Sequence, residues 1–367
     1  MSASPLLSRP GAVAVEGGMV AAHYGDPLRE QRALAETAGL VDRSDRDVLS
    51  IPGADRLSWL HNLTSQHLER LPDATGTQTL VLSPQGHVEH HLVLTELGGA
   101  VWADVEPGTG PDLLGFLQKM VFMLRVQPAL VTADWALLSL IGPQGDGVLT
   151  AAGLPVPAAP GEVRPLDGGG WVRRMPPLGN RVAAVDLLVP RAELAARGEA
   201  VLATGAVPAG LDAYEALRVE ARRPRAGVDS DHRTIPNELE WLRTAVHLEK
   251  GCYRGQETVA RVHNLGRPPR RLVLLHLDGV SEELPAPGTP VLAGSREVGR
   301  VGTVVRHHEL GVVALALVKQ SVRPDTALTV GGSTALIDPG DLTDDLDEAR
   351  AAARERVASV RSATIHR

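Results

Sequence analysis

Lys250-Gly251-Cys252-Tyr253-Arg254-Gly255-Gln256-Glu257, followed at once by Thr258-Val259-Ala260-Arg261, is the stretch on which the reading of this chain turns. It holds the single cysteine of 367 residues and crowds two glycines, an acid, an amide, a phenol and two cations into eight positions. So little apolar content makes poor core, and each glycine weakens a helix or strand by roughly 0.5–1 kcal/mol relative to alanine. A loop held close to a ligand or a partner is expected over 250–257. Gly251 and Gly255 supply a tight backbone path, Gln256 and Glu257 pin the loop to its neighbours, and Tyr253 stacks or hydrogen-bonds. Lys250 and Arg254 stand two positions to either side of Cys252, and nearby cations favour the thiolate, so Cys252 is expected to be a functional thiol.

Composition bounds what surrounds this stretch. The chain is 43% hydrophobic and 22% charged, with ten aromatic residues (5 Trp, 3 Tyr, 2 Phe), so Leu, Val and Ala must supply most of a core large enough for two or three domains. A net charge of -7 gives no electrostatic footprint for non-specific nucleic-acid binding. One cysteine excludes an internal disulfide framework and a Cys₄ metal site, and no metal site is assigned. Met1 to Gly18 lacks a cationic region followed by an apolar run, and nowhere do 18 apolar residues run together. A cytoplasmic protein with no membrane partner is the expectation.

Working backward from the motif, Gly210 precedes a helix from Leu211 to Arg222, stopped by Pro224. Ala213, Ala216, Leu217 and Glu220 share one stripe of it, so the Glu220 carboxylate needs a partner. Either a local arginine (Arg218, Arg222, Arg223 or Arg225) or a ligand donor can fill that role. Nearer the start, helices are expected over 27–39, 53–63, 111–124, 145–152 and 191–203, with strands at 47–51, 79–82, 130–141 and 181–189. Ser83-Pro84-Gln85-Gly86 turns a hairpin over 79–94. Its second strand alternates Val88, His90, Leu92 and Leu94 with His87, Glu89, His91 and Val93. His90 then reads as a core histidine, and His87, Glu89 and His91 as a solvated face, with a metal site as the alternative. Beyond the motif, 263–271 reads as a basic linker, and short strand-like runs from Arg271 to Val330 suggest a small antiparallel barrel. Residues 341–367 read as an appended helix or tail.

The run Lys-Gly-Cys-Tyr-x-Gly-Gln-Glu resembles the signature of the YgfZ family, folate-binding relatives of the glycine-cleavage T-protein that serve iron-sulfur cluster assembly and repair. The likeness extends over about residues 19 to 335. Ala22-His23-Tyr24-Gly25, Gly39-Leu40-Val41-Asp42-Arg43-Ser44 and Ile51-Pro52-Gly53-Ala54-Asp55 are similar to the opening of T-proteins, and Leu217-Arg218-Val219-Glu220-Ala221 resembles their folate-binding Leu-Arg-Leu-Glu-Ala segment. One departure matters. Where the resemblance implies Gly-x-x-x-Asp-Asp-Leu in the hairpin, this chain has Gly86-His87-Val88-Glu89-His90-His91-Leu92, so His90 and His91 replace both family aspartates.

The resemblance implies an α+β chain of T-protein type: a first mixed domain over 19–142, a second over 143–265 carrying the Glu220 helix and the Cys252 loop, and a C-terminal β-barrel over 271–335, arranged around a central folate cavity. It implies tetrahydrofolate or a related reduced folate as cofactor, with Glu220, Tyr253, Arg254 and His90 as its binding residues. It implies partners among iron-sulfur client proteins or assembly factors, including enzymes that modify tRNA. Cys252 would then contact a cluster, a client or an oxidant. The alternative is a folate-dependent aminomethyltransferase or demethylase in which the hairpin histidines carry protons. A third is a scaffold whose cavity has lost its ligand.

Overall fold

In a computed structural model, residues 3–178, 182–323 and 325–341 are described. Arg181 and the expected appended segment beyond Asp341 lie outside them.

Among the described residues, two large antiparallel-rich sheets, a closed barrel and a small two-stranded ribbon of Val13–Ala14 and Ala21–His23 hold the strands. The five-stranded sheet runs in the order Thr75–Leu82, Val88–Leu97, Ala100–Val105, Asp47–Pro52, Ala129–Leu130. The six-stranded sheet runs Val163–Pro165, Trp171–Leu178, Val182–Pro190, Trp135–Ile141, Gly39–Asp42, Val207–Ala209, with only its last pair parallel. Strands of the first 142 residues therefore enter both sheets. Gly39–Asp42 and Trp135–Ile141 hydrogen-bond to each other and carry Val182–Pro190 and Val207–Ala209 on their flanks. The expected boundary at 142/143 cuts through that sheet, because a sheet is closed by strand pairing rather than by chain order.

Aliphatic residues form the cores, as the composition requires. Leu49, Ile51, Leu60, Val81, Leu92 and Leu94 pack under the first sheet, and Leu138, Leu140, Val185, Leu187 and Leu149 under the second. Burying each such side chain is worth roughly 1.5–3 kcal/mol. Helix Pro27–Glu36 starts where Asp26 caps the amides of Leu28 and Arg29 and Pro27 fills the first position. It stops short of Gly39, which opens a strand instead.

The barrel closes through Arg270–Leu277, Gly311–Lys319, Arg296–His307, Pro290–Ala293, Leu328–Val330 and Ser333–Ile337, the last pairing back to the first. Ser333–Ile337 was not expected from the sequence. The linker reading of 263–271 is also corrected, since Gln256–Leu265 is a helix that takes in the end of the cysteine motif. Left-handed glycines bound it, Gly255 at φ 81° and Gly266 at φ 72°, and its buried Val259 faces inward.

Candidate functional site

Between the two sheets lies a cavity of about 170 Å³. The first sheet contributes Gln78, His91 and Asp104, the second Met175 and Asp186, and helix Leu211–Glu220 contributes Tyr214, Glu215 and Arg218. A second cavity of about 250 Å³ shares Gln78, Val93, Met175, Pro176 and Thr244 with it. No barrel residue is in the lining of the first.

One wall is an unbroken chain of buried ion pairs. Arg173 bridges Asp186 (3.0 Å) and Asp104 (2.8 Å), and Arg46 bridges Asp104 (3.0 Å) and Glu106 (2.9 Å). Arg225 then joins Glu106 (2.9 Å) to Glu215 (3.3 Å), and Arg218 joins Glu215 (2.7 Å) to Asp229 (2.8 Å). Asp229 finally accepts from the backbone N–H of Thr303, which ties the chain to the barrel (2.6 Å). Burial opposes ionisation of Glu106, but the Arg46 and Arg225 guanidiniums hold its carboxyl well below the usual range, and Arg173 and Arg46 do the same for Asp104. Each carboxylate of this network faces at least one guanidinium, which offsets the cost of burying it.

Asp45 is different. It lines the same cavity, yet it makes no ion pair and no side-chain hydrogen bond to another residue among the described residues. Burial raises its pKa, and Arg43 and Arg46 only partly oppose this. It is therefore the cavity carboxylate left open to a ligand. The sequence reading missed it, although its place in Arg43-Ser44-Asp45-Arg46, an acid set between arginines at the join of two strands, was the available signal.

His91 faces the cavity, and His90 does not. Adjacent strand residues face opposite ways, and a bulge lies just before them. Pairing runs Leu80↔His91 and Val81↔His90 but then Leu82↔Val88, so Glu89 is the extra residue. The expected alternation holds from His90 to Leu94 and breaks only between Val88 and His90. Val88 joins Leu80 and Leu82 on the His91 side, and His87, Glu89 and His91 do not share one face as a metal site would require. His91 stacks on Trp241 (ring centroids 4.8 Å apart, 19° between planes) and its Nε2 meets Gln78 Oε1 at 3.0 Å. Burial pushes its pKa down to about 4, so it is neutral at pH 7. His90 is also shifted down by burial.

Glu220 is not in the cavity lining. Its stripe on the helix turns toward the barrel, where Ala216 and Val219 pack against Val305, Val313 and Leu315. Among the described residues no arginine pairs with this carboxylate, and the ring Nε2 of His307 stands 3.5 Å from it, too far for a strong hydrogen bond. His307 Nδ1 accepts the backbone N–H groups of Glu309 and Leu310, which leaves Nε2 facing the acid. The acid of this helix that does line the cavity is Glu215, one turn earlier.

The motif loop is largely spent on structure. Lys250 is buried, and its ammonium donates to the backbone carbonyls of His61, Thr64 (2.6 Å) and Gln66 (3.1 Å) while lying 5.0 Å from the centre of the Tyr253 ring. Desolvation lowers its pKa to about 8. Tyr253 packs with Leu80, Leu82 and Trp241, and burial raises its phenol to about 12. Arg254 pairs with Glu89 (3.2 Å), and the Gln256 amide donates to Lys250 O (3.3 Å). Gly255 needs to be glycine: besides its left-handed φ, an added Cβ would stand 2.6 Å from Ser83 O and 2.8 Å from the Cα of Gly86. A Cβ added at Gly251 would meet nothing within 4 Å, and Glu257 is exposed. Both cations are engaged elsewhere and Cys252 is exposed; Cys252, Tyr253 and Arg254 all lie outside the cavity lining. The expected pairing of Cys252 and Glu220 across one cavity is thus not formed.

Compared with known proteins, residues 13–155 match the GCVT N-terminal domain family. An aminomethyltransferase of Moorella thermoacetica is 30% identical over 328 residues, covering 84% of this chain and 86% of the relative. The chain belongs to the aminomethyltransferase family. Residues 270–340 match the CAF17 C-terminal β-barrel domain, which makes it a relative of the YgfZ and T-protein type. A putative chloroplastic transferase of Arabidopsis thaliana is 25% identical over 322 residues, 80% of this chain and 68% of that protein. The crystal structure of the glycine cleavage system aminomethyltransferase T from Bartonella henselae superposes with a TM-score of 0.79 at 22% identity, over 90% of this chain and 94% of that one, and shows the shared fold. In this member of the aminomethyltransferase family, positions 90 and 91 carry imidazoles, and the one at 91 is a neutral cavity wall. Among the described residues no helix is long and apolar enough to cross a membrane.

Proposed function

We propose that the cavity binds a reduced folate, tetrahydrofolate or a close relative, and that the protein serves iron-sulfur cluster assembly or repair rather than turning over an aminomethyl donor. The carrying observation is the cavity itself, with a stacked His91–Trp241 wall beside Asp45, a carboxylate without a partner. A pteridine is flat, apolar on its faces and edged with adjacent N–H donors. Trp241, Tyr214, Val93 and Leu211 suit the faces, and an unpaired carboxylate suits the edge. Asp45 is assigned that edge in place of Glu220. Arg223, which also lines the cavity and has no carboxylate partner among the described residues, suits an anionic tail.

When bound, a reduced folate supplies one-carbon acceptor chemistry. The residues around it are poor catalysts of a transfer. His91, with its pKa near 4, is a weak base at pH 7 and carries no negative charge to stabilise a developing cation. The other lining carboxylates are held by arginines. Cys252, exposed on the motif loop, is left to meet a cluster, a client protein or an oxidant.

Calorimetric titration with tetrahydrofolate tests the first half. Saturable binding is expected, weakened at least tenfold in Trp241→Ala and Asp45→Asn and kept in Glu220→Gln and Cys252→Ser. No binding by the native protein sinks the folate reading. For the second half, activities of cluster-dependent enzymes, tRNA-modifying ones included, are expected to fall in cells lacking the protein and to be restored by the native chain but not by Cys252→Ser. Formaldehyde or methylene-tetrahydrofolate formed from a methylated amine would instead establish a transferase.

A further inference from the structure

Outside the folate cavity, the loop that Lys250 anchors gathers imidazoles from distant parts of the sequence. His61 lies in the last turn of helix Arg56–Leu63, His67 and Glu69 follow in the irregular segment after it, and His247 arrives from the segment before the motif. The His61 and His67 rings meet edge to face with centroids 4.7 Å apart, and the His67 and His247 centroids are 5.4 Å apart. One ligand atom from each of His61, His67 and Glu69 lies within 4.8 Å of the others.

We propose that His61, His67 and Glu69 form a binding site for a divalent transition metal of the zinc class, with His247 or water completing it. Two imidazoles and a carboxylate are a donor set that Zn²⁺ accepts. Ligand atoms about 2.1 Å from a tetrahedral ion stand about 3.4 Å from each other, so the present spacing closes with a modest rotation of the exposed Glu69 side chain. Glu69 also supplies the negative charge that offsets the ion.

The scaffold beneath these side chains is already rigid. Lys250 holds the carbonyls of His61, Thr64 and Gln66, the Ser65 hydroxyl donates to Ala245 O and accepts from the Leu80 amide, and the His247 amide donates to Ser65 O (3.0 Å). Such bracing is what sets ligand direction in metal sites. His61 Nδ1 accepts the amides of Leu68 and Glu69 at 3.2 and 3.4 Å, long contacts whose loss on metal capture is small. Because none of these four residues lines the folate cavity, the site stands or falls independently of the folate reading.

The test uses the full chain, stripped of metal with a chelator and titrated with Zn²⁺ against a chromophoric competitor, then with Co²⁺ for its visible absorption. One equivalent is expected to bind, with a Co²⁺ band of tetrahedral intensity. His67→Ala and Glu69→Gln should each weaken binding tenfold or more. Neither side chain makes a hydrogen bond among the described residues, so both variants should keep the native circular dichroism, which is measured alongside. His263→Ala, an exposed histidine elsewhere, should bind like the native chain. Absence of stoichiometric binding at tens of micromolar Zn²⁺, or equal binding by all three variants and the native chain, overturns the proposal.

Discussion

The cavity wall and the cysteine loop place their charges in opposite ways. Along the wall, Asp186, Arg173, Asp104, Arg46, Glu106, Arg225 and Glu215 are drawn from positions up to 179 residues apart, counting from 46 to 225, and each is consumed by its neighbours. In the loop, charges adjacent in sequence part company in space: Lys250 turns inward to carbonyls, Arg254 turns outward to Glu89, and Cys252 between them is left exposed. Buried charge here is structural, and among the groups the ion pairs leave over are Asp45 and Arg223 in the cavity and Cys252 on the surface.

Breaking the wall should have the largest effect. Asp104→Ala strips a carboxylate from both Arg173 and Arg46 and leaves two buried guanidiniums short of a partner, at a cost of about 3–5 kcal/mol in chemical denaturation. A loss below about 1 kcal/mol would mean that the chain does not brace the sheets. The His91 imidazole sharpens the same contrast through pH. Its folded pKa of about 4 lies below the unfolded value near 6.5, so the unfolded chain binds the extra proton between these limits. The contribution is complete above pH 6.5 and lost as pH falls toward 4, on the order of 3 kcal/mol in all. Denaturation midpoints across that window should slope less in His91→Gln than in the native chain.

On the loop, Lys250→Met keeps length and removes the ammonium, leaving the carbonyls of His61, Thr64 and Gln66 without their donor. A loss of roughly 1–3 kcal/mol is expected by denaturation. An unchanged midpoint would show that water reaches those carbonyls and that the lysine is held for another reason.

Local patterns in the sequence reported the elements well. The 83–86 turn, the helix from Leu211 and the apolar strands of the sheets and barrel all form, because turn chemistry and periodicity act over a few residues. Helix Gln256–Leu265 was hidden by its polar composition, since only Val259 of it is buried. The bulge at Glu89 was hidden because one inserted residue reverses a face without changing composition. Glu220 and Asp45 show the same limit at the site. Sharing a helical stripe with alanines and a leucine placed Glu220 against something, but only the packed structure decides that this is the barrel's His307 and not the cavity.

The smallest expected effect is the most telling for the thiol. If Cys252 were part of the fold, its replacement would leave a cavity or an unpaired group; as an exposed loop residue it should leave neither. Cys252→Ser is therefore expected to change stability by less than about 0.5 kcal/mol, against the larger losses at Lys250 and Asp104. The native thiol should react with a small thiol reagent at nearly the same rate as in the denatured chain, corrected to equal pH. A strongly protected thiol, or a variant as damaged as Lys250→Met, would place Cys252 with the structural members of its motif and remove the basis for a role in meeting clusters or clients.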